Sequence, residues 1–162
     1  MSWYKKSSKN AKDIAEDRSD EFFSARKTAA IWTTKSFEAA IKAGLVTMDM
    51  MVDTKEGPQK IKDGDVLCKG DVDGELWPQP ENRVREKYEQ VDERIRGGPS
   101  TPNWEKWKPK GKPIEAVQVK DTEFYAGDMK GKKGDYLLRD PENPSDLWII
   151  DQDIFSKTYS RV

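Results

Sequence analysis

The chain has 162 residues, and its 29 basic and 30 acidic side chains leave a net charge of −1, which selects neither nucleic acid nor an anionic membrane as a partner. The sequence has no histidine, which excludes an imidazole general base and a Ser-His-Asp arrangement, and its one cysteine, Cys68, excludes an intramolecular disulfide. No apolar run approaches the ~20 residues that span a membrane. These features predict a soluble cytoplasmic protein, and they also fit a virion component.

Residues 1–26 form a charged leader. Four apolar side chains lie roughly on one face of a helix, and charged residues occupy the remaining positions. They are Ala11, Ile14, Ala15 and Phe22. The pattern predicts a helix near 9–25 that caps or docks onto the rest of the protein. A partner-binding helix is the alternative.

The segment 27–96 contains short apolar runs separated by glycine, proline and aspartate, which is typical of strands and turns. The predicted elements, in chain order, are a strand at 29–34, a helix at 35–43, and strands at 45–52, 66–69 and 75–77. After these, apolar residues recur at helical spacing through residue 95. The matching end of the chain instead favours one helical turn and then a strand, so we predict a short helical turn at 82–87 and a strand at 88–91, with a helical tail after it as an open alternative.

The segment 97–111 begins with the most linker-like composition in the chain, Gly-Gly-Pro-Ser-Thr-Pro. Two tryptophans with interleaved lysines follow it. Beyond it, the segment 112–162 predicts a second strand-rich module. Its expected strands are 114–119, 123–126, 136–139 and 147–150.

The second module repeats the first. The interval from the aspartate of a Gly-Asp pair to a tryptophan is 12 residues in one copy and 13 in the other, and that tryptophan precedes a tyrosine by 11 residues in both. The recurring residues are Gly64, Asp65, Trp77 and Tyr88 in the first copy, and Gly134, Asp135, Trp148 and Tyr159 in the second. We interpret this as a tandem duplication, with two copies too few for a solenoid.

The second copy combines Lys112-Pro113, a strand ending in Glu-Ala, Gly-Asp followed by Tyr136, and Phe155 in a terminal Phe-x-x-Thr-Tyr. With these motifs it resembles the PGDYG-motif group, short proteins of phages and bacteria. The first copy departs from the pattern, because Val66 replaces the aromatic residue of the turn and Val84 replaces the phenylalanine. The resemblance implies no catalytic residues, and it implies a phage accessory protein.

The repeated residues have simple structural explanations. Glycines 64 and 134 supply the positive φ of a turn, and Asp65 and Asp135 are expected to bind their own downstream backbone N–H groups. A catalytic or metal-binding carboxylate is the alternative. The aromatic residues are expected to form one core per copy, with an aromatic ligand platform as the alternative. They are Trp77, Tyr88, Tyr136, Trp148, Phe155 and Tyr159.

The tryptophan-containing part of the segment 97–111 is the candidate contact surface. Aromatic rings interleaved with lysines can stack on bases and neutralise phosphates. Solvated lysines beside tryptophans that fold back onto a module are the other interpretation. The residues are Trp104, Lys106, Trp107, Lys108 and Lys110.

The sequence therefore predicts an α+β fold with an N-terminal helix and two related small antiparallel β-rich modules. The expected segments are 1–26, 27–96, 97–111 and 112–162. We predict a non-enzymatic protein without cofactor or metal that binds a host or phage protein, or a small ligand, in counter-defence or host takeover. Nucleic-acid binding and a minor virion structural role are the alternatives. Function is expected in what differs between the copies.

Overall fold

Short helices and mostly antiparallel strands build the chain in the computed structural model, which describes residues 8–162. The first half contains β1 (Lys9–Asn10), α1 (Ala11–Asp17), β2 (Phe23–Lys27), β3 (Ile31–Thr34), α2 (Phe37–Lys42), β4 (Met51–Thr54), β5 (Gly57–Lys60), β6 (Asp65–Gly70), β7 (Leu76–Pro80), α3 (Glu81–Lys87) and β8 (Tyr88–Ile95). The second half contains β9 (Trp104–Pro109), β10 (Ile114–Gln118), β11 (Phe124–Ala126), β12 (Met129–Gly131), β13 (Tyr136–Asp140), β14 (Asn143–Ile150), α4 (Gln152–Thr158) and β15 (Tyr159–Arg161). The fold is α+β and strand-rich.

The chain divides into two units. One unit combines the N-terminal segment, described from residue 8 to residue 27, with residues 112–162, and we call it the split unit. The other unit is residues 28–111, and we call it the continuous unit. Each has its own five-stranded sheet.

The sheet of the split unit has the order β14-β13-β10-β2-β15, and all its neighbours are antiparallel. Adjacent residues point to opposite faces of a strand, so each face has its own core. Val117 and Leu137 pack with α1, whereas Ala116 and Leu138 pack with Phe155 of α4. The three-stranded sheet β1-β11-β12 adds Phe124 to the α1 side.

The sheet of the continuous unit has the order β7-β6-β3-β9-β8, again antiparallel throughout. Trp32 and Leu67 pack on one face with residues of α2 and of the β4–β5 hairpin. Val66 and Cys68 pack on the other face with Val84 of α3. Cys68 is fully buried, as expected for an inert thiol.

The helix predicted at 9–25 is wrong in its extent, because α1 covers only Ala11–Asp17. The Asn10 side chain caps its N-terminus by accepting the N–H of Lys12 at 3.1 Å. A 3₁₀ turn follows at Ser19–Glu21, and then strand β2. Tertiary pairing overrides the helical pattern here, since β2 bonds to β10 on one side and to β15 on the other.

The linker predicted at 97–111 is also wrong in part. Only residues 96–103 connect strands, and β9 follows them as an interior strand between β3 and β8. Proline and lysine around β9 resemble a linker locally. Pairing with two strands from elsewhere in the chain settles its conformation.

The predicted helix at 82–87 and strand at 88–91 are confirmed as α3 and β8, although β8 continues to Ile95. The similarity to the end of the chain therefore predicts this segment better than helical spacing does. The strand predicted at 45–52 is wrong, because residues 44–50 form turns and β4 begins at Met51.

The two Gly-Asp turns show the predicted positive φ, +86° at Gly64 and +101° at Gly134. The aspartates, however, bind backbone N–H groups three residues upstream rather than downstream: Asp65 accepts from Lys62 at 2.9 Å. Asp135 is fully buried and accepts from the N–H of Lys132 at 2.9 Å and from that of Gln152 at 3.1 Å. It thereby joins the turn to the start of α4.

Replacing Asp135 with alanine is expected to lower the free energy of unfolding by about 2–4 kcal/mol, because two partly buried backbone N–H groups lose the oxygen atoms of a fully buried side chain as acceptors. The matched control, Asp65→Ala, removes one bond at a half-buried site and is expected to cost about 1 kcal/mol. Urea denaturation followed by circular dichroism measures both. Equal losses for the two variants would contradict the role of Asp135.

Candidate functional site

A cleft of about 390 Å³ opens in the continuous unit between α3 and the sheet. Its lining comes from the end of β3 and the residues after it, from β6, α3, β8 and β9, and from the loop before β9. The side chains used below are Thr33, Lys35, Ser36, Val66, Glu81, Val84, Arg85, Gln90, Arg94, Glu105 and Trp107. The volume falls in the range of small-molecule sites.

Charged side chains line the cleft, and the basic ones are in excess. Glu81 holds two of them through the same carboxylate oxygen, with Lys35 Nζ at 2.8 Å and an Arg85 guanidinium nitrogen at 3.2 Å. The hydrogen bond from Lys35 is the largest cause that lowers the pKa of Glu81, burial opposes it, and the charges of Lys35 and Arg85 add to the lowering. Glu81 is therefore ionised at neutral pH and shared by two cations.

The floor of the cleft is Trp107, which is only 4% exposed. Its indole N–H donates to the buried hydroxyl of Thr33, with 2.8 Å between Nε1 and Oγ1. The Arg85 guanidinium lies 5.5 Å from the centre of the Trp107 ring. The hydrogen bond fixes the orientation of the indole, and the ring face attracts the guanidinium beside the cleft.

A β-bulge shapes the wall opposite α3. The register between β8 and β9 shifts between Gln90 and Arg94, which face Trp107 and Glu105 respectively on β9. The Gln90 amide donates to the Glu105 carboxylate at 2.7 Å. Within residues 8–162 no ion pair holds Arg94. Bulges of this kind redirect side chains beside sites, and here Arg94 is added to the basic lining.

The two five-stranded sheets agree in register, which allows this cleft to be compared with the same place in the split unit. Cys68 lies opposite Trp77 in the continuous unit, and Leu138 lies opposite Trp148 in the split unit. Val66 lies two residues before Cys68, and Tyr136 lies two residues before Leu138. Val66 therefore corresponds to Tyr136, the first residue of β13. The helices after β7 and β14 both have seven residues.

Stacked rings fill the corresponding place in the split unit. Tyr136, at the start of β13, lies 3.9 Å from the ring of Phe155, the fourth residue of α4. Phe155 stacks in turn on Tyr159 at 4.9 Å, and Phe23 meets Phe155 edge to face at 6.2 Å. The four rings thus pack against one another at this place.

The continuous unit has smaller or charged residues at three of these four positions. The counterparts of Tyr136, Phe155 and Phe23 are Val66, Val84 and Glu105. Two other lining residues match uncharged ones in the split unit: Lys35 and Arg85 match Gln118 and Ser156. The valines and the charged side chains that line the cleft are therefore specific to the continuous unit at these positions.

The predicted contact surface is not an exposed aromatic patch. Trp104 is 5% exposed and Trp107 4% exposed, so neither ring offers the free face that base stacking requires. Lys106 binds Glu93 at 3.2 Å, and Lys110 donates to the carbonyl oxygen of Arg85 at 2.9 Å. Of the five, only Lys108 is an exposed cation to which no partner can be assigned within residues 8–162.

The repeated aromatic residues lie in the cores, as predicted. Tyr88 and Phe155 are buried, and Tyr136, Trp148, Tyr159 and Trp77 pack half-buried against the same clusters. Burial raises the pKa of Tyr88, so its phenol stays neutral. Sequence reasoning missed Lys35, Glu81, Arg85 and Arg94. The valines at 66 and 84 were the available signal, since they stand where the matching positions 136 and 155 carry aromatic rings.

Neither a metal site nor a membrane span is found in the part of the chain that the structure describes. No group of three or more histidine, cysteine or acidic residues there could hold a metal ion, and no helix among residues 8–162 is long and apolar enough to cross a membrane. Comparison of the chain with protein-family models, curated proteins and solved structures found no match.

The pKa of Glu81 provides a test of the charge arrangement in the cleft. Because the hydrogen bond from Lys35 is the main cause of the lowered value, Lys35→Ala is expected to raise the pKa of Glu81 toward its ordinary value of 4.5. Carboxyl ¹³C NMR titration measures it, with Lys42→Ala, at an exposed site on α2, as the control. An unchanged Glu81 midpoint in Lys35→Ala would contradict the assigned ion pair.

Proposed function

We propose that this chain is a non-enzymatic binding protein and that the cleft of the continuous unit holds a small molecule carrying a phosphate or carboxylate group. One observation carries the proposal: valines stand at the two positions where the split unit has stacked Tyr136 and Phe155, and basic residues line the space. A core that only had to be stable would keep the rings, because their burial contributes more than that of valine.

Charge favours an anionic group. Lys35, Arg85 and Arg94 outnumber Glu81 and Glu105 in the lining. The pairs with Glu81 are partly exposed, and such pairs contribute little, so an incoming anion can displace the carboxylate at low cost. Arginine binds carboxylate and phosphate through two parallel hydrogen bonds. The Ser36 hydroxyl adds a polar partner at the same wall.

The residue inventory supports binding rather than catalysis. The chain has no histidine, and its one thiol, on Cys68, is buried in β6. The carboxylates of the cleft are engaged by Lys35, Arg85 and Gln90. No pair of groups there is arranged as nucleophile and base.

A tandem duplication accounts for the two units, and we propose it as their origin. In support, Gly-Asp turns, seven-residue helices and opposed Cys68–Trp77 and Leu138–Trp148 pairs recur at matching places. One copy kept its packed rings and the other lost them. The resemblance to PGDYG-motif proteins supports a phage accessory role, such as counter-defence or host takeover, in which sequestering a small anionic molecule is the action.

The test uses adenosine 5′-monophosphate and succinate as probes of the two anionic groups, followed by ¹H–¹⁵N NMR. The Trp107 indole N–H reports directly, because it lies in the cleft floor. We expect a saturable shift of that signal with at least one probe, about tenfold weaker binding in Arg85→Ala, and tighter binding in Glu81→Gln, which removes the competing carboxylate.

The control fills the cleft with the residues of the split unit, Val66→Tyr together with Val84→Phe. This variant is expected to lose the Trp107 shift while the signals of the split unit stay unchanged. Arg83→Ala, on the same helix but outside the cleft lining, is expected to bind like the unmodified protein. Equal shifts in the filled variant, or no shift with either probe, would overturn the proposal.

A further inference from the structure

Each five-stranded sheet contains one strand that breaks the order of the chain. Strand β2 directly precedes β3 in sequence, yet it lies in the sheet of β10. Strand β9 directly precedes β10, yet it lies in the sheet of β3. Apart from these two strands, the sheet of the continuous unit is built from β3, β6, β7 and β8, and that of the split unit from β10, β13, β14 and β15.

The strands β2 and β9 occupy equivalent positions in their sheets. In the order β7-β6-β3-β9-β8, β9 is the fourth strand, and in the order β14-β13-β10-β2-β15, the fourth strand is β2. Their registers also agree. Tyr159 lies opposite Lys27 on β2, and Tyr88 lies opposite Pro109 on β9. On the other edge, Ile114 and Ile31 face residues two positions earlier on β2 and β9, Ala25 and Trp107.

We infer that the chain is a fused pair of repeats, β2 to β8 and β9 to β15, that have exchanged their first strands. Each repeat is then the binding partner of the other, because each leaves an open place in its sheet that only the first strand of a second repeat fills. This inference is independent of the ligand proposed for the cleft.

The connections explain why the strands do not return to their own repeats. Only Thr28, Ala29 and Ala30 lie between β2 and β3. A hairpin with a three-residue loop needs one residue in the left-handed region, which glycine, asparagine or aspartate accepts and alanine or threonine resists. The chain therefore continues instead of turning back, and short hinges of this kind favour exchange.

The second connection also disfavours a hairpin. Residues 110–113 end in Pro113, which restricts Lys112 before it to extended backbone and removes an N–H donor. Both strands thus reach a sheet in which each has hydrogen-bonding neighbours on two sides. Interior pairing on both edges satisfies the backbone groups of the exchanged strands.

The consequence is that the loop at 96–103 is not needed to hold the two repeats together. A chain cut in this loop is expected to remain a stoichiometric complex of its halves, since β2 of the first half lies in the sheet of the second and β9 of the second in the sheet of the first. The experiment uses the full chain with a protease site inserted after Gly98, which is cleaved after the protein has folded.

Cysteine pairs at exposed positions identify the partner of each strand. On a Cys68→Ala background, the exchanged arrangement places Arg26→Cys opposite Ser160→Cys, and Glu89→Cys opposite Lys108→Cys. Residues directly opposite in antiparallel strands are close enough for a disulfide to form with small adjustment. After cleavage, both pairs are expected to keep the halves joined on a non-reducing gel.

The matched controls combine the same four cysteine substitutions in the other two pairs. Strands that returned to their own repeats would place Arg26→Cys opposite Glu89→Cys, and Lys108→Cys opposite Ser160→Cys. These pairs are expected to stay reduced. Disulfides in the control pairs, or halves that separate on native size-exclusion chromatography of the cleaved parent chain, would overturn the inference.

Discussion

The strands β2 and β9 complete the two five-stranded sheets of this protein. The rest of the fold depends on the backbone hydrogen bonds that each of these strands makes along both of its edges. Phe23–Lys27 lies between β10 and β15, and Trp104–Pro109 lies between β3 and β8. A buried strand whose N–H and C=O groups lacked a neighbour on either side would be strongly destabilised. Local composition predicts a helix that runs into Phe23–Lys27 and a linker across Trp104–Pro109. Both segments form strands because each lies between two strands that need a hydrogen-bonding neighbour.

The same framework holds two different interiors. In the split unit, Tyr136, Phe155 and Tyr159 stack on one another between α4 and the sheet. In the continuous unit, Val66 and Val84 leave the space open. Trp107, which corresponds to the small Ala25, supplies the floor instead. The continuous unit therefore has an indole where the split unit has a small side chain, and valines where the split unit has rings.

The charges follow the same division. Lys35, Glu81 and Arg85 form a connected group beside the cleft, and the lowered pKa of Glu81 reflects that connection. At two matching positions the split unit has the uncharged Gln118 and Ser156. The split unit thus has a cluster of stacked rings, whereas the continuous unit has a charged cleft, and this difference supports the proposed binding site.

The sequence by itself determined what depends on a few neighbouring residues. It indicated the α+β class, the positive φ of Gly64 and Gly134, the burial of Tyr88 and Phe155, and the helix and strand that follow Pro80. Its valines at positions 66 and 84 also marked where residues 64–88 differ from the similar residues 134–159. Turn chemistry and burial of large rings act locally, so local patterns record them.

Only the tertiary structure decided the strands β2 and β9, the burial of Trp104 and Trp107, and the group around Glu81. Lys35, Glu81 and Arg94 are far apart in the chain, and they line one cleft only after β3, α3 and β8 have taken their places around the sheet. The direction of the aspartate hydrogen bonds was likewise set by the N–H groups that folding brought within reach, including that of Gln152. Pairing between strands distant in sequence carries no local signal, because either edge of a strand can bond to any suitable neighbour.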